Sequence, residues 1–251
     1  MADADLLPLD HAPFTAANLA PLTAAFEAIG FTVSPPGAYT SPEFPEARWP
    51  NRCVFLRQGW FDLLQSAQAD PTAPAGPGAC LFRTSDLDAA MAAMAGLSTR
   101  PPYRLERRWD DDLGLPPETF KLSSLRERVA PLGLAVIEHV YPCPDILPAW
   151  LEHENGAVEV AGLTFGGAEP GPAAERAGAV LNLSGFEYIA ASAFEGRFGP
   201  CTRQVAVRVR VGSLTQATTA LGERGARCVR RGDVLLATPP PGLGCPFVFF
   251  E

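Results

Sequence analysis

Three histidines are the first candidates for chemistry in this chain of 251 residues: His11 in LLPLDHAPF, and His139 and His153 in EHVYPCPDILPAWLEHENGA. Imidazole is the commonest metal ligand and the usual acid or base near neutral pH, so either chemistry requires the fold to gather these residues. The second stretch ends in Asn155-Gly156, a pair that tolerates positive φ and marks a turn. His153 and Asn155 therefore also read as turn chemistry joining two halves of the chain. Carboxylates in apolar company are the other resource. Asp62 lies between Phe61 and Leu63 in GWFDLLQ, and a charge in that setting needs a metal or an arginine beside it. Glu138 precedes His139, and alternation along a strand lets only one of the two point to a given side. Arg57 and Arg83 offer guanidinium groups to an anion. Trp60, Phe82 and Trp150 either line an apolar cup or fill a core.

Other chemistries lack their motifs. The chain has no G-x-S-x-G elbow, P-loop, G-x-G-x-x-G or H-E-x-x-H. Its six cysteines (Cys53, Cys80, Cys143, Cys201, Cys228 and Cys245) contain no C-x-x-C pair, which points to reduced thiols rather than a zinc cluster or disulfide framework. A net charge of −8 argues against a nucleic-acid partner, which needs clustered cations. No apolar run approaches the roughly 20 residues that span a bilayer, and the acidic MADADLLPLD lacks the features of a secretory signal. The expectation is a cytoplasmic protein that engages neither membrane nor nucleic acid. WDDD (109–112) reads as a solvated loop, and RVRV (208–211) as a strand with Arg208 and Arg210 on one exposed face.

The elements that must position these residues recur. Asn18-Leu19, Asp86-Leu87 and Ser213-Leu214 each pair a helix-capping side chain with a leucine after an extended stretch. Helical periodicity follows in each case, with Leu19, Leu22, Phe26 and Ile29 on one face of the first copy. Gly30, Gly96 and Gly225 stand where a left-handed C-cap belongs. Short strands come next, so the repeating unit is β-α-β-β-β. A shortened fourth copy spans 157–200, with a helix at 172–178. The resulting division is a first module pair at 6–142 (6–66 and 77–142, with a Pro/Gly linker at 69–79) and a second at 153–251 (157–200 and 203–251). The fold class is α+β: tandem βαβββ modules forming paired, cup-shaped mixed sheets with flanking helices.

With this repeat, LDHAPFTAANLAPLTAAFEAIGFTV, GWFDLLQ, EHVYPCP with HENGA, and RRGDVLLATPPPGLGCPFVFFE together resemble the glyoxalase-like domain proteins of the vicinal oxygen chelate superfamily. The resemblance implies a cup holding a divalent metal (Zn, Mn, Ni or Fe), with ligands on the first and fourth strands of each module. Such a metal chelates neighbouring substrate oxygens and stabilises enolate charge. Carried over, His11 takes the first-strand position and Asp62 the fourth-strand position of module one. Glu138 aligns with Asp62 in module two, with His139 as the alternative inward residue; either would move a proton. Ala79 stands at the first-strand position of module two, and in module four Ala206 stands at the first-strand position and Val248 near the last strand; none of these can ligate. Trp60, Arg83, His153 and Asn155 are the residues placed to border a ligand. Two functions follow from the resemblance: a metal-dependent lyase or isomerase acting on a small oxygen-rich metabolite, or a metal-free protein that sequesters a small molecule, as bleomycin-resistance proteins do. Superfamily cups are often completed by a partner subunit, which leaves room for a homodimer.

Overall fold

Each cap-and-leucine pair starts a helix. Asn18 accepts from the Ala20 amide at 2.9 Å ahead of α1 (Leu19–Glu27), and Asp86 from Ala89 at 2.9 Å ahead of α2 (Leu87–Ala93). Two helices without such a cap follow, α3 (Pro172–Gly178) and α4 (Ala191–Phe198), and Ser213 caps the fifth, α5 (Leu214–Glu223). Gly30 and Gly225 adopt the left-handed conformation at φ 81° and 68°. Gly96 does not, because α2 has already ended at Ala93. The computed structural model describes residues 6–110, 114–129, 132–140 and 146–251; Asp111, Asp112 and Cys143 lie outside them. Among the described residues, no helix is long and apolar enough to cross a membrane.

The first half supplies eight strands: β1 (Leu9–Ala16), β2 (Gly37–Ser41), β3 (Phe44–Phe55), β4 (Trp60–Gln65), β5 (Ala79–Thr84), β6 (Tyr103–Trp109), β7 (Glu118–Ser124) and β8 (Gly133–His139). Each module orders its strands first, fourth, third, second. The two modules join at both edges, β1 to β5 and β2 to β6, so the sheet closes as the barrel β1-β4-β3-β2-β6-β7-β8-β5. Closure gives every strand two partners and an inside face. The second half supplies β9 (Ala157–Gly166), β10 (Phe186–Ile189), β11 (Val205–Val211), β12 (Cys228–Arg231), β13 (Val234–Ala237) and β14 (Phe247–Phe250), in the open order β10-β9-β11-β14-β13-β12. Its first module keeps only the parallel β9–β10 pair, and α4 follows in sequence.

Alternation decides what each strand buries. On β1 and β4, Ala12, Phe14, Phe61 and Leu63 face away from the barrel axis into the main core, where Phe14, Phe26, Phe31 and Phe61 meet Phe247 at ring separations of 5.6–6.2 Å. The opposite faces of the same strands send His11, Pro13, Thr15, Asp62 and Leu64 into the barrel. The fold is thus a tandem-module α+β structure: one closed barrel and one open sheet sharing a phenylalanine-rich core.

Candidate functional site

Inside the barrel lies a cavity of about 390 Å³, lined mainly by apolar and aromatic side chains such as Tyr39, Trp49, Leu81, Leu105 and Ile137, together with His11 and Asp62. Both polar residues are 4% exposed. His11 is fixed on two sides: its ring stacks on Trp60 at 4.3 Å with planes 13° apart, and Nδ1 lies 2.8 Å from Asp10 Oδ2. Asp10 should face the other way by alternation, but the β1–β5 register shifts between Leu9 and His11, and its fully buried carboxylate meets three partners. His139 Nε2 is 3.2 Å from the same Oδ2, and Arg83 Nε donates to Oδ1 at 2.6 Å. Such re-aiming of a side chain is what a strand irregularity achieves. Burial pushes the Asp10 carboxyl up, but hydrogen bonds and charge from His11 and His139 outweigh it, and Asp10 is held well below the usual carboxylate range.

A second polar cluster crosses the barrel wall to wall. Asp62 Oδ1 accepts from Asn51 Nδ2 at 2.9 Å and lies 3.8 Å from Cys53 Sγ. Arg107, 1% exposed, donates through Nε to Glu118 Oε2 at 2.5 Å and points Nη1 at Cys53 Sγ. The rings of Trp109 and Phe55 lie 4.5 and 5.3 Å from its guanidinium carbon, a cation–π arrangement in a desolvated setting. Burial opposes the Arg107 charge, yet Cys53, Tyr39, Glu118 and Asp62 hold it protonated well above the ordinary arginine range. Burial and the Asp62 charge together push the Tyr39 hydroxyl well above its ordinary value. None of this network except Asp62 stood out in the sequence.

The structure redistributes the candidate residues. Trp60, Arg83 and His139 line a second cavity at the other end of the barrel, with His11 and Asp10 between the two ends. Glu138 does not face the interior, which corrects the alignment of VIEHV with WFDLL. His139 pairs with Phe120, an interior residue, whereas Glu138 pairs with Lys121 on the outside. There its carboxylate accepts from the Leu87 amide at 3.1 Å, at the start of α2, and lies 3.5 Å from Lys121 Nζ, a favourable place for a negative charge. His153 and Asn155 lie outside both cavities and clasp the end of α1. His153 Nδ1 accepts from the Thr32 amide at 3.0 Å while Nε2 donates to the Phe55 carbonyl at 2.7 Å. Asn155 donates to the Ile29 carbonyl at 2.8 Å and accepts from the Ala157 amide at 3.0 Å.

A divalent ion does not fit this donor set. Metal sites of this kind need several imidazole or carboxylate ligands converging on one point. On β5 and β8, the positions facing the inner cavity are Ala79, Leu81, Ala135 and Ile137, all apolar. His11 Nδ1 is committed to Asp10, and Asp62 to Asn51. Among the described residues, no three His, Cys, Asp or Glu side chains are grouped to hold an ion.

A family model described as a glyoxalase-like domain matches residues 9–181, more than half of the chain. The chain belongs to the glyoxalase-like domain family, within the vicinal oxygen chelate superfamily. Two solved structures share the fold of this glyoxalase-like chain. The 2,3-dioxygenase LapB from Pseudomonas sp. KL28 is 13% identical with a TM-score of 0.57, the match covering 99% of this chain and 93% of that one. A variant of 4-hydroxymandelate synthase from Streptomyces coelicolor is 11% identical with a TM-score of 0.59, covering 98% and 93%. No curated protein sequence matches. At such identities the likeness speaks for the fold, and function rests on the site.

Proposed function

We propose that this glyoxalase-like chain binds a small, largely apolar organic molecule inside its first barrel without a metal ion. The observation that carries the reading is the inner cavity itself. It is about 390 Å³ in volume, walled mainly by apolar and aromatic side chains, with His11, Asp62 and the hydroxyl residues Thr15, Tyr39, Tyr103 and Ser124 as its polar members. That combination of apolar walls and a few fixed polar groups is typical of small-molecule sites. A metal-dependent lyase or isomerase using His11, Asp62 and Glu138 is disfavoured because Glu138 caps α2 on the outer face.

The test pairs elemental analysis with titration of N-phenyl-1-naphthylamine, a neutral probe that fluoresces in apolar sites. Wild type and His11→Ala are expected to hold no stoichiometric divalent ion after incubation with Zn²⁺, Mn²⁺, Ni²⁺ or Fe²⁺. Saturable probe fluorescence should be lost in Leu81→Trp, which fills the cavity. A tightly held ion that disappears with His11→Ala would overturn the reading.

A further inference from the structure

The inner cavity holds one charged group that the protein leaves unanswered. Among its described lining residues there is no arginine or lysine, and Asp62 is the single carboxylate. Oδ1 of Asp62 accepts from Asn51 Nδ2 at 2.9 Å. Oδ2 has no hydrogen-bond partner among the described residues, and it is not one of the unpartnered atoms sealed off from solvent. The space that Asp62 borders is the inner cavity, so this oxygen opens into it. A carboxylate oxygen only accepts, and in a buried setting it is costly to leave without a donor.

The neighbouring charges cancel in pairs and leave that of Asp62 over. Arg107 is paired with Glu118, and Arg83 with Asp10. Asp62 forms no ion pair among the described residues, and the Arg107 charge acts on it only from farther off. His11, which borders the same cavity, adds a second acceptor. Asp10 takes the hydrogen of Nδ1, so Nε2 is the lone-pair nitrogen of the neutral ring, and no described residue donates to it. We propose that the molecule held in this cavity is a small organic cation: an amine on an apolar or aromatic body. The assignment rests on the binding function proposed above and names its ligand class. An ammonium brings three donors and the missing positive charge. An acid would bring a second negative charge beside Asp62, where a low dielectric makes the repulsion strong. The walls, Tyr39, Trp49, Leu81 and Ile137 among them, suit the apolar body.

Calorimetric titration with three matched probes tests this: 2-phenylethylamine, 2-phenylethanol and phenylacetate, which are cationic, neutral and anionic at neutral pH. In the wild type the amine should bind at least about tenfold more tightly than the alcohol, with the acid weakest. Asp62→Asn keeps the shape and removes the charge, so it should weaken the amine by about tenfold and leave the alcohol within about twofold. Asp62→Glu keeps the charge and should retain the preference. Leu81→Trp, which fills the cavity, should abolish amine binding. An amine that still binds Leu81→Trp sits elsewhere, and the assignment falls. Equal affinity of the wild type for amine and alcohol, or equal weakening of both by Asp62→Asn, also refutes the assignment while the cavity remains a binding site. If none of the three binds at millimolar concentration and N-phenyl-1-naphthylamine fluorescence does not saturate, the binding function falls and the assignment with it.

Discussion

Glu118→Ala isolates the strongest electrostatic element of the barrel. The substitution leaves a guanidinium that is 1% exposed without the carboxylate holding its Nε at 2.5 Å. Removing one partner of a buried ion pair costs about 3–5 kcal/mol, because the remaining charge keeps its desolvation penalty. Two features pull the expected value to the lower end. Asp62 contributes favourable charge to Arg107, and the ring of Trp109 lies 4.5 Å from the guanidinium carbon. The expectation is a loss of about 3 kcal/mol, which for a protein of this size lowers Tm by roughly 6–12 °C. Arg107→Met combined with Glu118→Leu removes both charges and should cost clearly less than Glu118→Ala alone. Urea unfolding of the wild type, Arg107→Met, Glu118→Leu and the double variant completes the cycle and yields the coupling energy directly. If Glu118→Ala alone costs under about 1 kcal/mol, the guanidinium is hydrated in solution. The picture of a dry aromatic cage around Arg107 would then be wrong.

Two further outcomes follow from individual side chains. Burial lowers the His153 pKa despite the bond to the Phe55 carbonyl, so the folded state favours the neutral ring. The unfolded chain then binds the proton more readily, and stability should be full above about pH 6.5 and decline as pH falls towards the folded value; urea midpoints from pH 8 to 5 should show this slope in wild type and a flatter one in His153→Gln, and equal slopes would count against the clasp. Gly162 has φ +139°, and a Cβ there would lie 2.1 Å from the Gly185 carbonyl oxygen; Gly162→Ala should cost about 3 kcal/mol by separating β9 from β10, and an unchanged Tm would refute that close approach.

What the sequence revealed depended on whether the deciding interaction was local. Asn18, Asp86 and Ser213 bond within three residues of themselves, so the helix starts could be read directly. His11 and Asp62 reach the barrel interior as strand alternation requires. Glu138 failed because Leu134, Val136 and Ile137 are all buried, and a strand apolar on both faces hides its parity; the pairing of His139 with Phe120 settles it. Asp10 was passed over for the opposite reason, since alternation alone turns it away from His11 and the register shift brings it back. Arg107 and Glu118 had no local signal at all. YRLERRWD looks like a solvated charged strand, and its buried member is chosen only by the cross-strand partner on β7. In HENGA the turn reading matches the observed contacts: both His153 nitrogens and both Asn155 amide atoms bind backbone groups.

The second half of the chain is built differently from the barrel. Its four-strand module β11-β14-β13-β12 keeps the strand order of the barrel modules, but the partner module has only β9 and β10. A cup missing two strands leaves an apolar face that would otherwise be open to water and has to be covered. Helix α4 does so: Phe194, fully buried, clusters with Ala206, Leu236 and Val248. Ala206 and Val248 are the positions that would carry ligands if this cup held a metal, and here they are packing surface. Gly166 allows the approach, since a Cβ there would lie 2.5 Å from that of Phe194. Truncating Phe194 to Ala would therefore open a cavity in the second cup and cost about 3–5 kcal/mol, while the inner barrel cavity, which shares no lining residue with that cluster, would keep its ligand. A variant that lost stability and N-phenyl-1-naphthylamine binding together, at temperatures where it remains folded, would show that the two halves are coupled after all.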